Sequence, residues 1–155
     1  MGLFDFVREA GERLGVVEDE KAVAAEEYAA EAKTAKALWQ RAKDLGLGVE
    51  ELQVTFDDGT ATVYGQAPSQ TAKEKVILAI GNTREVAHVD DRIEVKTPEP
   101  EATFYTVESG DTLSKISLEH YGDANAYMKI FEANQPLLKD PNLIYPGQVL
   151  RIPQA

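Results

Sequence analysis

The chain has 155 residues and no cysteine, with 43% hydrophobic and 28% charged residues. That composition fits one ordinary domain or two small ones, and it excludes a disulfide scaffold, a thiolate metal centre and a cysteine nucleophile. A net charge of −11 argues against nucleic acid or an anionic lipid surface as partner, because both are gripped through Lys and Arg.

The opening MGLFDFVREAGERLG has no basic n-region, no unbroken apolar stretch and no small-residue cleavage site, so it does not read as a secretory signal. Gly2 is followed by Phe6 where an acylation signal needs Ser or Thr. No segment approaches the ~20 apolar residues of a membrane span. A cytoplasmic location without membrane insertion is therefore expected.

Leu3, Phe6, Val7, Ala10 and Leu14 recur at helical spacing and predict a short amphipathic helix, which Gly11 or Gly15 would end in a left-handed conformation. EDEKAVAAEEYAAEAKTAKALWQRAKDLG predicts a longer helix, acidic early and basic late, with Leu38 and Trp39 on its buried side and Gly46 closing it. The period then changes. LQVTF and TATVYG flank DDG, a hairpin in which Leu52, Val54 and Phe56 face one way and Ala61 and Val63 can pair with them. SQTAKEKVILAIG predicts a helix capped by Ser69 and ended by Gly81. AHVDDRIEVK is a further strand with Val89, Ile93 and Val95 inward. In TPEPEA two prolines alternate with acids, which favours an extended spacer. Beyond it, FYTV and QVLRI predict strands around two helices, the first capped by Asp111 and the second by Asp123.

The segment carrying YTVESGDTLSKIS, YGDANAYMKIFEAN and IYPGQVLRIP resembles a LysM domain. The resemblance implies binding of N-acetylglucosamine chains in a groove formed by Gly110, Asp111, Thr112 and Leu113 with Asn142, Leu143, Ile144 and Tyr145. The same residues also have structural readings, as turn (Gly110), cap (Asp111) and core (Leu113, Ile144). DDGTATVYGQA, TAKEKVILAIG and VAHVDDRIEV resemble a BON domain, although NTREV replaces the usual small link after the helix. Taken end to end, the chain is similar to the Kbp family of bacterial cytoplasmic BON–LysM proteins, which bind K⁺ and become more compact on doing so. The expected fold is thus α+β with two small domains: an N-terminal helical segment at 1–47 packing on a β-β-α-β BON domain at 48–96, a linker at 97–102, and a β-α-α-β LysM domain at 103–155.

The family resemblance turns attention to backbone carbonyls, because K⁺ is large and weakly hydrated and proteins replace its water shell with such oxygens. Helix C-termini offer unpaired ones. The expected set is Val7 and Ala10 from the first helix with Gly81, Thr83 and Val86 after the third, Glu85 being an alternative carbonyl. Glu9, Glu12 and the Glu85 side chain would attract the cation from a distance without coordinating it. Asp57–Asp58 and Asp90–Asp91 invite a Ca²⁺ reading, but neither has EF-hand spacing and the first pair lies in a turn. His88 and His120, the two histidines, fall in separate domains and outside any metal-ligand spacing. No phosphate-cradling or nucleophile motif is present, so catalysis is not expected. The binding alternatives are a K⁺ sensor, or an adaptor meeting peptidoglycan fragments or a protein partner. A monomer is expected, since no sustained heptad is evident.

Overall fold

The computed structural model describes residues 2–7, 11 and 24–154, with the backbone alone for residues 24–28. Its elements are β1 (Gly2–Asp5), α1 (Ala24–Lys43), β2 (Glu50–Asp57), β3 (Thr60–Ser69), α2 (Gln70–Gly81), β4 (His88–Thr97), β5 (Thr103–Thr106), α3 (Leu113–Tyr121), α4 (Tyr127–Ala133) and β6 (Val149–Ile152), with a single 3-10 turn before α4. The fold is α+β, as the change from helical to alternating periodicity predicts.

The hairpin forms because Asp58 and Gly59 both accept positive φ, 42° and 81°, which a two-residue turn matched to the strand twist requires. Val54 then faces Val63 and Phe56 faces Ala61. Ser69 caps α2 by accepting from Ala72 N at 3.1 Å, and α2 carries the chain across so that β4 lies parallel to β3. The sheet order is β1-β4-β3-β2. Ala61, Val63 and Val89 of the sheet are buried with Leu38 of α1 and Ile77 and Ile80 of α2 in one core. Trp39 lies at its edge and donates from Nε1 to Leu52 O at 2.9 Å.

Residues 2–5 do not form the predicted helix. They are an edge strand, antiparallel to β4, with Phe4 opposite Val89. The helical spacing of Leu3, Phe6 and Val7 is coincidental: Phe4 and Phe6 pack on the core while Leu3 and Val7 are exposed. Without β1, the backbone groups on that side of β4 would be unpaired, and satisfying them outweighs a short helix of modest amphipathicity. Leu14 and Gly15 lie outside the described residues.

In the second half β5 pairs antiparallel with β6, and α3 and α4 close over them around Ile116, Ile130 and Leu150. The helix cap differs from expectation. Thr112, not Asp111, caps α3, accepting from Lys115 N at 3.1 Å. Asp111 is one residue too early and ties the preceding turn instead, accepting from Tyr105 Oη at 2.6 Å and Glu108 N at 2.9 Å. Asp123 does cap, accepting from Asn125 N at the 3-10 turn.

The two halves are joined by a buried ion pair. Arg151 of β6 reaches Glu74 of α2, Nε to Oε1, at 2.8 Å. Glu74 Oε2 also accepts from Ala102 N and Gln70 Nε2, at 3.1 and 3.0 Å. Asn134 holds the Arg151 backbone from the other side, bonding both its N and its O. Phe4 and Phe104 add an apolar contact, with ring centroids 5.3 Å apart.

Candidate functional site

The loop after α2 is the place where three parts of the chain converge. Gly81 is the last residue of α2 rather than a left-handed residue beyond it, and it is small for another reason. A Cβ there would fall 2.0 Å from Cζ of Phe6. Gly11 sits equally close to the loop, since its Cβ would fall 1.9 Å from Asn82 O and 2.8 Å from Thr83 N. Both glycines therefore allow backbone to approach backbone or ring, which no larger residue could do in this arrangement. Phe6 N donates to Ala87 O at 2.8 Å, and Arg84 Nε donates to Gly11 O at 3.2 Å. The N-terminal segment is thus laid along the loop from residue 81 to residue 87.

The final-turn carbonyls of α2 are occupied. Leu78 O accepts from Asn82 N and Ile80 O from Thr83 N. Ala79 O takes both Thr83 Oγ1 and Arg41 Nε, at 3.1 and 2.7 Å. Oxygens available to a ligand must then come from residue 81 onward and from the N-terminal segment. Of the five expected carbonyl positions, Gly81 and Thr83 lie against that segment, and Val7 directly follows the Phe6 that packs on Gly81. The Thr83 carbonyl also accepts from Val86 N at 3.0 Å, leaving its second lone pair. Val86 has a fully buried side chain. Ala10 falls outside the described residues, as do Glu9 and Glu12.

Glu85 departs from expectation. Its Oε2 is shut off from solvent and no donor reaches it, the one such side-chain atom among the described residues. A carboxylate meant only to attract a cation from a distance would stay in water. The described residues gather no group of three or more His, Asp or Glu, so they hold no carboxylate cage of the kind that selects Ca²⁺ or Mg²⁺. Asp91 is engaged with Lys73 at 2.8 Å, and Asp90 with Arg92 at 3.1 Å. His88 bonds Asp5, and His120 packs edge-on against Tyr105. The loop therefore carries backbone packed closely against the N-terminal segment at Gly81, Asn82 and Thr83, and one carboxylate oxygen, Oε2 of Glu85, that is buried without a donor.

The loop also touches the second half of the molecule. Asn82, in the same turn, donates from Nδ2 to Val149 O at 2.8 Å and accepts from Val149 N at 2.9 Å. Its side chain therefore acts as a strand partner for β6, while its carbonyl oxygen lies where a Cβ on Gly11 would fall. Sequence reasoning missed this residue, since an Asn after a helix reads as an ordinary cap.

Two family models match the chain, a BON domain over residues 29–97 and a LysM domain over residues 105–153. The potassium binding protein Kbp of Escherichia coli O6:H1 is 47% identical over 155 residues, with 99% of each chain covered. This chain belongs to the Kbp family. Partial relatives are far larger proteins. One from Deinococcus radiodurans is 53% identical over 51 residues, 33% of this chain and 19% of its own length. Esterase Rv1288 of Mycobacterium tuberculosis is 47% identical over 53 residues, 34% of this chain and 11% of the esterase.

In this Kbp-family chain the eight LysM positions divide by environment. Leu113 is buried and Ile144 packs against the same core. Asp111 is held by Tyr105 and Glu108, and the Tyr105 bond, then the Glu108 amide, keeps its carboxyl below the usual range. Gly110 has φ +89 and open space around it, and Thr112 is engaged as the helix cap. Asn142 and Leu143 are exposed on a turn whose amides bond Asp140. Tyr145 and Leu143 line a groove of about 350 Å³ shared with Arg41, Asp44 and Leu45 at the end of α1. One of the two LysM loops thus faces the BON half. No helix among the described residues is long and apolar enough to cross a membrane.

Proposed function

We propose that this chain is a cytoplasmic potassium-ion-binding protein and sensor. The observation that carries the reading is the N-terminal segment pressed onto the loop after α2 through Gly11 and Gly81, in a chain related over its whole length to a potassium binding protein. In this reading K⁺ is held by the carbonyls of Val7, Ala10, Gly81, Thr83 and Val86. Several neutral oxygens of moderate field match its weak hydration. The ion cross-links the N-terminal segment to the loop, and Asn82 passes that order to β6, so occupied protein is the more compact. The protein works as a monomer and as a binder rather than a catalyst.

Thermal unfolding in K⁺ and Na⁺ buffers of equal ionic strength, with calorimetric K⁺ titration, tests this. A ligand at a hundred times its dissociation constant stabilises the folded state by about 2.7 kcal/mol, a rise in Tm of roughly 5–11 °C for a chain of this size. Identical curves and no heat of titration would overturn the reading.

A second reading, an adaptor for peptidoglycan fragments, is favoured by the LysM match over residues 105–153 and by the exposure of Gly110, Thr112, Asn142 and Leu143. Retention on insoluble peptidoglycan after salt washing would support it, and loss on washing would remove it.

A further inference from the structure

We infer that the Glu85 carboxylate is the counter-charge of the proposed cation site, fixing its affinity at short range; the inference rests on the K⁺ reading above. Oε2 of Glu85 is buried without a donor. A carboxylate oxygen in that position is unfavourable by itself and becomes favourable when a cation stands opposite it. The loop that carries it is the one on which Phe6 and Gly11 converge. Arg84, the neighbouring cation, donates from Nε to Gly11 O, and no donor, Arg84 included, reaches Glu85 Oε2. The described residues gather no group of three or more acidic or histidine side chains, so the proposed site has one carboxylate, that of Glu85, and no carboxylate cage. One charge among neutral carbonyls balances a monovalent ion and leaves a divalent ion undercompensated. Glu85 thus separates two tasks in the cradle: the carbonyls set the size of the ion, and the carboxylate sets how tightly it is held.

The test compares wild type with Glu85→Gln, which keeps the shape and removes the charge. Calorimetric K⁺ titration should show association weakened by about tenfold or more, equivalent to about 1.4 kcal/mol. In K⁺-free choline buffer the variant should melt at the same temperature as wild type or higher, because charge has been removed from an oxygen buried without a donor. The difference in K⁺ affinity should survive at about 0.5 M ionic strength, where the Debye length falls to roughly 4 Å and a remote attraction would vanish. Binding within about twofold of wild type would overturn the inference while leaving the K⁺ site standing. So would an affinity difference that disappears at high salt, or a K⁺-free melting temperature that falls as far as the K⁺-bound one. Absence of any K⁺ response in wild type would overturn the site and this inference together. Should Glu85→Gln fail to fold, Glu85→Asp retains the charge but withdraws it by one methylene. It should weaken K⁺ binding by an intermediate factor, and wild-type affinity in that variant would also contradict the role.

Discussion

The turn before α3 and the loop after α2 solve the same problem in opposite ways. Between Tyr105 and Thr112 the turn is closed by its own side chains, with Val107 paired to the distant Gly147 and Gln148. Asp111 takes the Tyr105 hydroxyl and the Glu108 amide, and Gly110 supplies the positive φ. The loop from residue 81 to residue 87 depends on partners distant in sequence: Phe6, Gly11 and Val149. Even with them Glu85 Oε2 remains without a donor. A turn closed by its own side chains keeps its shape whatever is bound. A loop completed from elsewhere responds when something joins or leaves it, and is the better place for a switch.

The largest effect is expected at the joint between the halves. Glu74→Ala would leave the Arg151 guanidinium buried and unpaired, costing about 3–5 kcal/mol in urea unfolding. A Glu74→Leu/Arg151→Met double substitution should recover most of that loss. If the single change costs under about 1 kcal/mol, the halves are not held together by this pair.

Gly11→Ala comes next. Its new Cβ would collide with the Asn82 carbonyl, a backbone atom that cannot swing aside. The N-terminal segment should lift from the loop, and the K⁺-dependent stabilisation of about 2.7 kcal/mol at saturating ion should disappear from thermal melts. A retained K⁺ shift would show that Gly11 is not needed at the site.

Asn82→Ala should cost about 2 kcal/mol by leaving the Val149 amide and carbonyl without their partner. In the sensor reading it also uncouples the two events. Calorimetry would still register K⁺, but small-angle scattering would no longer show contraction on binding. Contraction equal to wild type would assign the coupling to another contact.

The smallest effect sharpens the other side of the comparison. Tyr105→Phe removes a charge-assisted bond of about 1.5 kcal/mol and should leave K⁺ binding untouched. Its pH signature has two edges. The Tyr105 bond, with the Glu108 amide, lowers the Asp111 pKa on folding. That stability is present above the unfolded value of about 4 and is lost as pH falls through the folded one. The Asp111 bond, then burial, raises the Tyr105 pKa, so its stability is complete below about pH 10 and is lost as pH rises further. Melts of the phenylalanine variant should lose the alkaline edge and flatten the acid one, and unchanged edges would contradict the bond's contribution.

Much of the fold was legible because its signals are local. Asp58-Gly59 specifies the hairpin, Ser69 the start of α2, and alternation the inward face of β4. The candidate site was legible only in outline, through family resemblance and the presence of glycines. Gly11 and Gly81 read as helix ends because a single sequence does not reveal which ring or carbonyl will press against them. The β1 strand was hidden by an accident of spacing, and by the fact that its partner lies some 85 residues away. Glu85 read as a long-range attraction or an alternative carbonyl because nothing in NTREV tells which way its side chain turns. Arg151 and Glu74, 77 residues apart, could be paired only once the halves were docked.

The most direct measurement is a K⁺ titration of ¹⁵N,¹³C-labelled protein followed at every backbone amide and carbonyl, with Na⁺ at equal ionic strength as the reference. The account predicts saturable shifts concentrated in residues 6–11 and 81–87, with a smaller set at Val149 and its neighbours, and none in the turn from residue 105 to residue 112. Shifts centred instead on residues 110–113 and 142–145, or no K⁺-specific shift at all, would contradict it.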